Sequence, residues 1–333
     1  MSSPAFFYGK LPNFSDFVRH NASGSEVRAL DRWLQEGLYA AAHHFGRNWN
    51  EAYERTSAYH FIFSPEDTGG GVLVGILQPS RDRSERKYPF CVALKEEKRT
   101  FDEKAMPLIP LVFELFFEES REIIQLGMEG FSLSNLAERI DDLGTSVEKN
   151  VEASHRSFRE YLAETTQESF WSGLFGSFSD PKKFLVVHNI IEIFQPDSPY
   201  MPRSSKVCIR FPLSGQEHSS IQEVCFWVQL CSRLLGDNLF HPHLFWKAHG
   251  KNGKDFLFLF PGKVQARSFI QLVDPDAEND SVCKLDEEGK EKLAQRDLRI
   301  PAGYSELFAS RESTLADVLR EIGHSPGKGE DFD

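Results

Sequence analysis

The sequence predicts an α+β fold: a mixed or antiparallel β-sheet flanked by helices, with a helical insertion in the middle of the chain. Three observations carry this expectation. Short apolar runs occur toward both ends of the chain, Tyr59 to Phe63, Val72 to Leu77 and Phe90 to Leu94 early, Val207 to Leu213 and Phe256 to Phe260 late. These runs lack strict alternation, so the strands they predict are at least partly covered on both faces. Between Leu111 and Asp180 there is no proline, and helix-compatible residues dominate.

Taken in order, residues 5–12 predict a short strand entering a turn at Pro12. Ser23 and Glu26 have the spacing of a capping box. Val27, Leu30, Leu34, Leu38, Ala41 and Phe45 then recur at helical spacing, with Trp33 beside that face. The three early apolar runs follow, separated by Gly69 to Gly71 and by the charged segment 79–89. The proline-free region predicts two or three helices, one of them from about 145 to 170. After Pro181, the apolar and β-branched stretch Phe184 to Phe194 predicts a return to strand. Ser220 and Glu223 form a second capping pattern, and Ile221, Val224, Cys225, Val228, Cys231 and Leu235 line one helix face closed by Gly236. Leu244 to Ala248 and Phe256 to Phe260 predict a hairpin around Gly250-Lys251-Asn252-Gly253. Ser313 to Ile322 predicts a short amphipathic helix that docks on the body or on a partner.

A chain of 333 residues with 29 Phe and 40% hydrophobic residues has ample material for a packed core. The mean hydropathy of −0.40 fits a water-soluble protein, and no apolar run is long enough to span a bilayer, so stable membrane insertion is not expected. The start lacks a basic region followed by an apolar core, which predicts a cytoplasmic protein without a signal peptide. Five scattered cysteines without a C-x-x-C pair predict buried, reduced thiols. The net charge of −12 argues against nucleic-acid binding. That charge is uneven: residues 274–333 hold sixteen acidic against eight basic residues, whereas the rest hold thirty-four against thirty. The expected division is a body over 5–273, with its helical segment at about 105–178, and an acidic C-terminal extension over 274–333.

The segment from Pro79 to Pro89 is the most charged loop, with Arg81, Asp82, Arg83, Glu85, Arg86 and Lys87 following an apolar run. Four cations there suit a carboxylate or a phosphate, and they equally suit a loop held together by its own ion pairs. Gly9-Lys10-Leu11-Pro12 lacks the pattern of a phosphate loop, and Lys10 is a candidate neighbour of Asp16 or Asp82. Adjacent His43-His44 point in different directions, and His241, His243 and His249 have no accepted metal spacing, so no metal is expected. Ser80 near Asp82 has no nucleophile elbow and no identifiable base, so no catalytic residue and no cofactor is expected. Phe170 to Phe178, aromatic and glycine-rich, predicts a helix end that closes a core.

One resemblance rests on quoted residues. Phe7-Tyr8-Gly9-Lys10-Leu11-Pro12 is followed by Ser15-Asp16-Phe17-Val18, then Asp31-Arg32-Trp33-Leu34, then Pro79-Ser80-Arg81-Asp82-Arg83 with Arg86 and Tyr88-Pro89. In order and spacing these segments resemble the TagF (ImpM) family of type VI secretion accessory proteins. Phe226-Trp227 on an apolar helix, Pro242 to Trp246 and Phe260-Pro261-Gly262 are similar to that family's C-terminal features. Ser15 and Glu85 stand where the family pattern has Gly, Phe245 stands where a Trp is usual, and Pro261-Gly262 replaces a G-L-P order. The resemblance implies a non-catalytic, cytoplasmic, post-translational repressor of secretion that engages a forkhead-associated (FHA) scaffold protein. The residues proposed to contact that partner are Lys10, Asp16, Arg81, Asp82, Arg83 and Arg86. The competing expectation is an enzyme or phosphate-ligand binder that uses the Arg/Asp loop at 79–89.

Overall fold

The computed structural model describes residues 5–65, 70–97, 106–146, 151–194, 206–215, 219–237, 240–247, 255–287 and 302–323. The first third runs β1 (Phe6–Gly9), β2 (Val18–His20), α1 (Ser25–Phe45), α2 (Trp49–Glu54), β3 (Tyr59–Phe63), β4 (Gly71–Gln78) and β5 (Phe90–Glu97). The helical middle runs α3 (Ile109–Val112), α4 (Glu114–Glu129), α5 (Leu133–Ser146), α6 (Val151–Glu164), α7 (Gln167–Phe175) and α8 (Pro181–Phe194). The chain then returns to the sheet through β6 (Cys208–Leu213), α9 (Ser219–Leu235), β7 (His243–Lys247) and β8 (Asp255–Phe260). It ends with α10 (Phe269–Val273), β9 (Val282–Lys284), α11 (Ala302–Ala309) and α12 (Leu315–Gly323).

The nine strands among the described residues join one sheet, ordered β2-β1-β5-β4-β3-β7-β8-β6-β9. Its pairings are antiparallel except β6 with β9, which is parallel. The α+β class with a mixed sheet flanked by helices is therefore the observed one. The near-continuous apolar strands have a direct reason. Along β4, Val72, Val74 and Ile76 enter one core, while Leu73 and Leu77 enter the other. Along β8, Leu257 and Leu259 face the first core, while Phe256, Phe258 and Phe260 face the second. Both faces are covered, so both sets of alternating side chains are apolar. One layer contains α1 and α10; the other contains α3 to α9 and α12.

Several local readings change. Residues 184–194, expected as strand from their β-branched content, lie in α8. Asp180 accepts the Lys182 amide at 2.9 Å and Pro181 opens the helix, a strong start signal. Burial of Leu185, Val186, Val187, Ile190, Ile191, Ile193 and Phe194 then outweighs β propensity. The region expected to hold one helix from about 145 to 170 is divided among α5, α6 and α7, with Thr166 capping the last through the Ser169 amide. Ser23 does not cap α1: Gly24 is the cap residue, and Glu26 turns to Lys95 at 2.8 Å. At α9 the Glu223 carboxylate accepts the Ser214 amide at 2.8 Å and so ties the helix to the end of β6. The turn expected at 250–253, Gly69 and His249 lie outside the described residues.

The described residues after 273, 274–287 and 302–323, pack on the same body. Arg210 of β6, almost fully buried, reaches Asp276 at 2.9 Å, Asp286 at 3.0 Å and Glu287 at 2.6 Å, next to the β6–β9 pairing. Leu315, Val318, Leu319 and Ile322 of α12 are all buried in the first core. Phe170, Trp171 and Phe178 close that core as expected, with Phe170 and Trp171 both packing on Trp227. All five cysteines are free thiols, four of them buried.

Candidate functional site: a turn strapped to a charged loop

The segments quoted above are far apart in sequence and meet at one end of the sheet. β1 pairs with both β2 and β5, so Gly9 lies directly against Pro89 and Phe90. A Cβ at Gly9 would overlap the Pro89 carbonyl oxygen, and its φ is +136°, so only glycine allows this approach. The next residue, Lys10, is buried, and its Nζ donates to Asp82 Oδ2 at 2.8 Å.

Asp82 organises the loop. Its Oδ1 accepts the Ser84 amide at 2.9 Å and the Arg86 amide at 3.0 Å, and its Oδ2 accepts Arg86 Nε at 2.7 Å. Its own amide donates to the Arg86 carbonyl and its carbonyl accepts the Glu85 amide. Burial works against this carboxylate, but the Lys10 and Arg86 cations and the two amides outweigh it and hold it well below the usual carboxylate range. The expected Asp82–Arg86 ion pair and backbone-bonded turn are both present. Glu85 occupies the left-handed region at φ +65°, which accounts for the glycine in the family pattern at that position. Ser15, the other replaced glycine, is not among the described residues with positive φ.

Two arginines strap the loop to the turn after β1. Arg83 donates its amide to the Phe14 carbonyl at 2.9 Å and its guanidinium to the Asn13 carbonyl at 2.6 Å. Arg86 donates to the Ser15 carbonyl and lies 3.6 Å from Asp16. Lys10 thus pairs with Asp82, and Asp16 faces Arg86. Arg81 pairs with Glu85 at 2.8 Å and approaches Glu54 at 3.8 Å, while Lys87 reaches Glu54 at 3.6 Å and sits over the Tyr53 ring. All six sequence-designated residues therefore sit in one assembly, and each has a partner inside the protein.

A second cluster was not designated from sequence. Asp31 Oδ1 accepts the hydroxyls of Tyr8 at 3.0 Å and Tyr88 at 2.6 Å. Burial first, then the Asp31 carboxylate, pushes the Tyr8 phenol up to about 12, so it remains a donor. Phe17 stacks on Tyr8 and meets Tyr88 edge-on at 4.8 Å, yet stays 44% exposed. The Lys10 ammonium lies 5.1 Å from its centroid. Trp33, two residues past Asp31, donates to the Gln265 carbonyl at 3.1 Å and packs on Phe245. The available signal was that Tyr8, Asp31 and Tyr88 all lie inside the quoted motifs.

The chemistry offered is that of a rigid, charged and aromatic face. Ser80 Oγ donates to the Met128 sulfur at 3.5 Å, and its amide donates to the Tyr53 hydroxyl at 3.2 Å. Beside it lies a cleft of about 410 Å³ whose cations, Arg81 and Lys87, are already paired. His243 Nδ1 accepts the Ser64 amide at 3.1 Å, a structural bond. Among the described residues, no three His, Cys, Asp or Glu side chains are grouped as metal ligands. No helix among them is long and apolar enough to cross a membrane.

Fold and site together define an α+β protein with an open mixed sheet, whose motif residues meet at one end of that sheet. Residues 6–143 match the family model of the TagF N-terminal domain, described as type VI secretion system-associated. No curated protein matches the chain. Among solved structures, it is similar to PA0076 from Pseudomonas aeruginosa PAO1, at 17% identity over 83% of this chain and 96% of that one, with a TM-score of 0.45.

Proposed function

We propose that the protein is a non-catalytic, cytoplasmic accessory factor of type VI secretion that represses assembly by docking on an FHA-type scaffold protein. The face that docks is the turn from Gly9 to Phe17 together with the 79–89 loop. The match of residues 6–143 to the TagF N-terminal domain model supports the secretion context. The observation that carries the docking reading is the state of the charged residues: Lys10, Asp82, Arg83 and Arg86 are spent on bonds that fix the shape of this face. A carboxylate held by two cations and two amides has no proton affinity left for acid–base work near neutral pH. A phosphate grip by the same arginines would require breaking those bonds. What remains outward is Phe17, the Asp16 carboxylate and the exposed side of Arg86, an aromatic anchor with a polar rim.

The test is co-purification of the cognate scaffold with this chain from cells producing both. Retention of the scaffold by the wild type and its loss with Phe17→Ser supports the reading. Equal retention by the two removes this face as the interface, and no retention by either removes the scaffold as the partner.

A further inference from the structure

A second cleft, of about 460 Å³, lies along a different flank of α1 from Asp31. Arg28 and Arg32 stand one helical turn apart on its wall, and Lys263, just after β8, faces it from the sheet side. Trp33 and His243, both buried, contribute to its lining. Among the described residues, the side chains of Arg28, Arg32 and Lys263 make no hydrogen bond or ion pair, in contrast to every cation of the 79–89 loop. The carboxylate on this wall, Glu36, forms no ion pair with either arginine. Like charges four residues apart on a helix repel, and among the described residues no ion pair offsets this one. Two guanidinium forks and an ammonium around one concavity match the geometry and charge of linked phosphate groups. The cleft volume lies in the range of small-ligand sites.

We infer that this cleft binds a small diphosphate-bearing molecule, with the phosphates between Arg28, Arg32 and Lys263 and any organic part against Trp33. The inference is independent of the scaffold-docking face.

The probe is inorganic pyrophosphate, titrated into the full chain by calorimetry, with ADP as a second titrant. Pyrophosphate is expected to bind, and more weakly as salt rises. Arg28→Gln with Arg32→Gln should weaken it about tenfold or more, and Lys263→Gln should weaken it from the opposite wall. Because these side chains hold nothing in the fold, the variants should keep the wild-type melting temperature. Tighter binding of ADP would place the organic part on Trp33, and equal binding would confine recognition to the phosphates; both support the inference. No binding of either titrant, or wild-type binding by the variants, overturns it.

Discussion

Lys10 Nζ lies 2.8 Å from Asp82 Oδ2, with both side chains closed to solvent, across 72 residues of sequence. This pair ties the turn after β1 to the loop between β4 and β5. Replacing Asp82 by Ala leaves the Lys10 ammonium buried without its partner and frees the Ser84 and Arg86 amides. The expected cost is roughly 3 kcal/mol in chemical denaturation. Asp82→Asn, which keeps one acceptor, should cost less.

The same carboxylate sets an acid limit. Its folded-state affinity for protons is depressed, so it contributes stability that is present above its ordinary range near pH 4 and is lost as pH falls further. Melting temperatures between pH 5 and pH 3 should fall more steeply for the wild type than for Asp82→Asn. Parallel curves would show that Asp82 is not a linked group.

Glu223 acts in the opposite direction. Burial pushes its carboxyl up to about 7, against the Ser214 amide that favours the ion. A raised folded-state value means full stability below about pH 4.5, lost as pH rises through 7, by roughly 3 kcal/mol. Glu223→Gln keeps an acceptor for Ser214 and should stabilise the protein at pH 8 while changing little at pH 4. A variant destabilised equally at both would refute this.

Backbone conformation yields a paired prediction at Gly9 and Glu85. Gly9→Ala drives a Cβ into the Pro89 carbonyl at positive φ and should cost more than about 3 kcal/mol. Glu85→Gly relieves a left-handed residue and gives up only an exposed pair with Arg81, so it should stabilise by about 0.5–1 kcal/mol. Urea titrations of the two variants should move in opposite directions.

Arg210 anchors three carboxylates of the C-terminal region. Arg210→Ala should cost roughly 3–5 kcal/mol, since it strands Asp286 in a buried position. Truncation after Val273 removes β9 and the buried face of α12, and should yield aggregated or unfolded protein by circular dichroism.

The sheet was legible because both-face burial leaves strands almost wholly apolar, and the runs at 59–63, 72–77 and 90–94 became β3, β4 and β5 nearly residue for residue. α8 was not, because a β-branched apolar stretch buried nearly all round lacks the polar stripe that marks a helix, and only Asp180-Pro181 signalled its start. α12 was legible as well, expected from Ser313 to Ile322 and observed over Leu315–Gly323, and the reciprocal cap between Thr314 and Asp317 that sets its start has its spacing in the sequence. The motif residues pointed to the right end of the molecule. Which of them pair was not legible, because Lys10–Asp82 and Tyr8–Asp31–Tyr88 are made by strand order, and strand order leaves no mark on local spacing.

The central claim is that the locked turn and loop form the docking face, and the most direct measurement is the affinity of the cognate FHA-type scaffold for Phe17→Ser combined with Asp16→Lys. Asp16 is exposed and Phe17 half-exposed, so the variant gives up only the contacts of Phe17 with Tyr8 and Tyr88 and the outer Asp16–Arg86 pair, and should remain folded with a melting temperature lowered by a few degrees. Loss of an exposed aromatic anchor and reversal of a rim charge should together weaken binding by about 2 kcal/mol or more, roughly thirtyfold. Wild-type affinity in a folded Phe17→Ser/Asp16→Lys protein would contradict the claim.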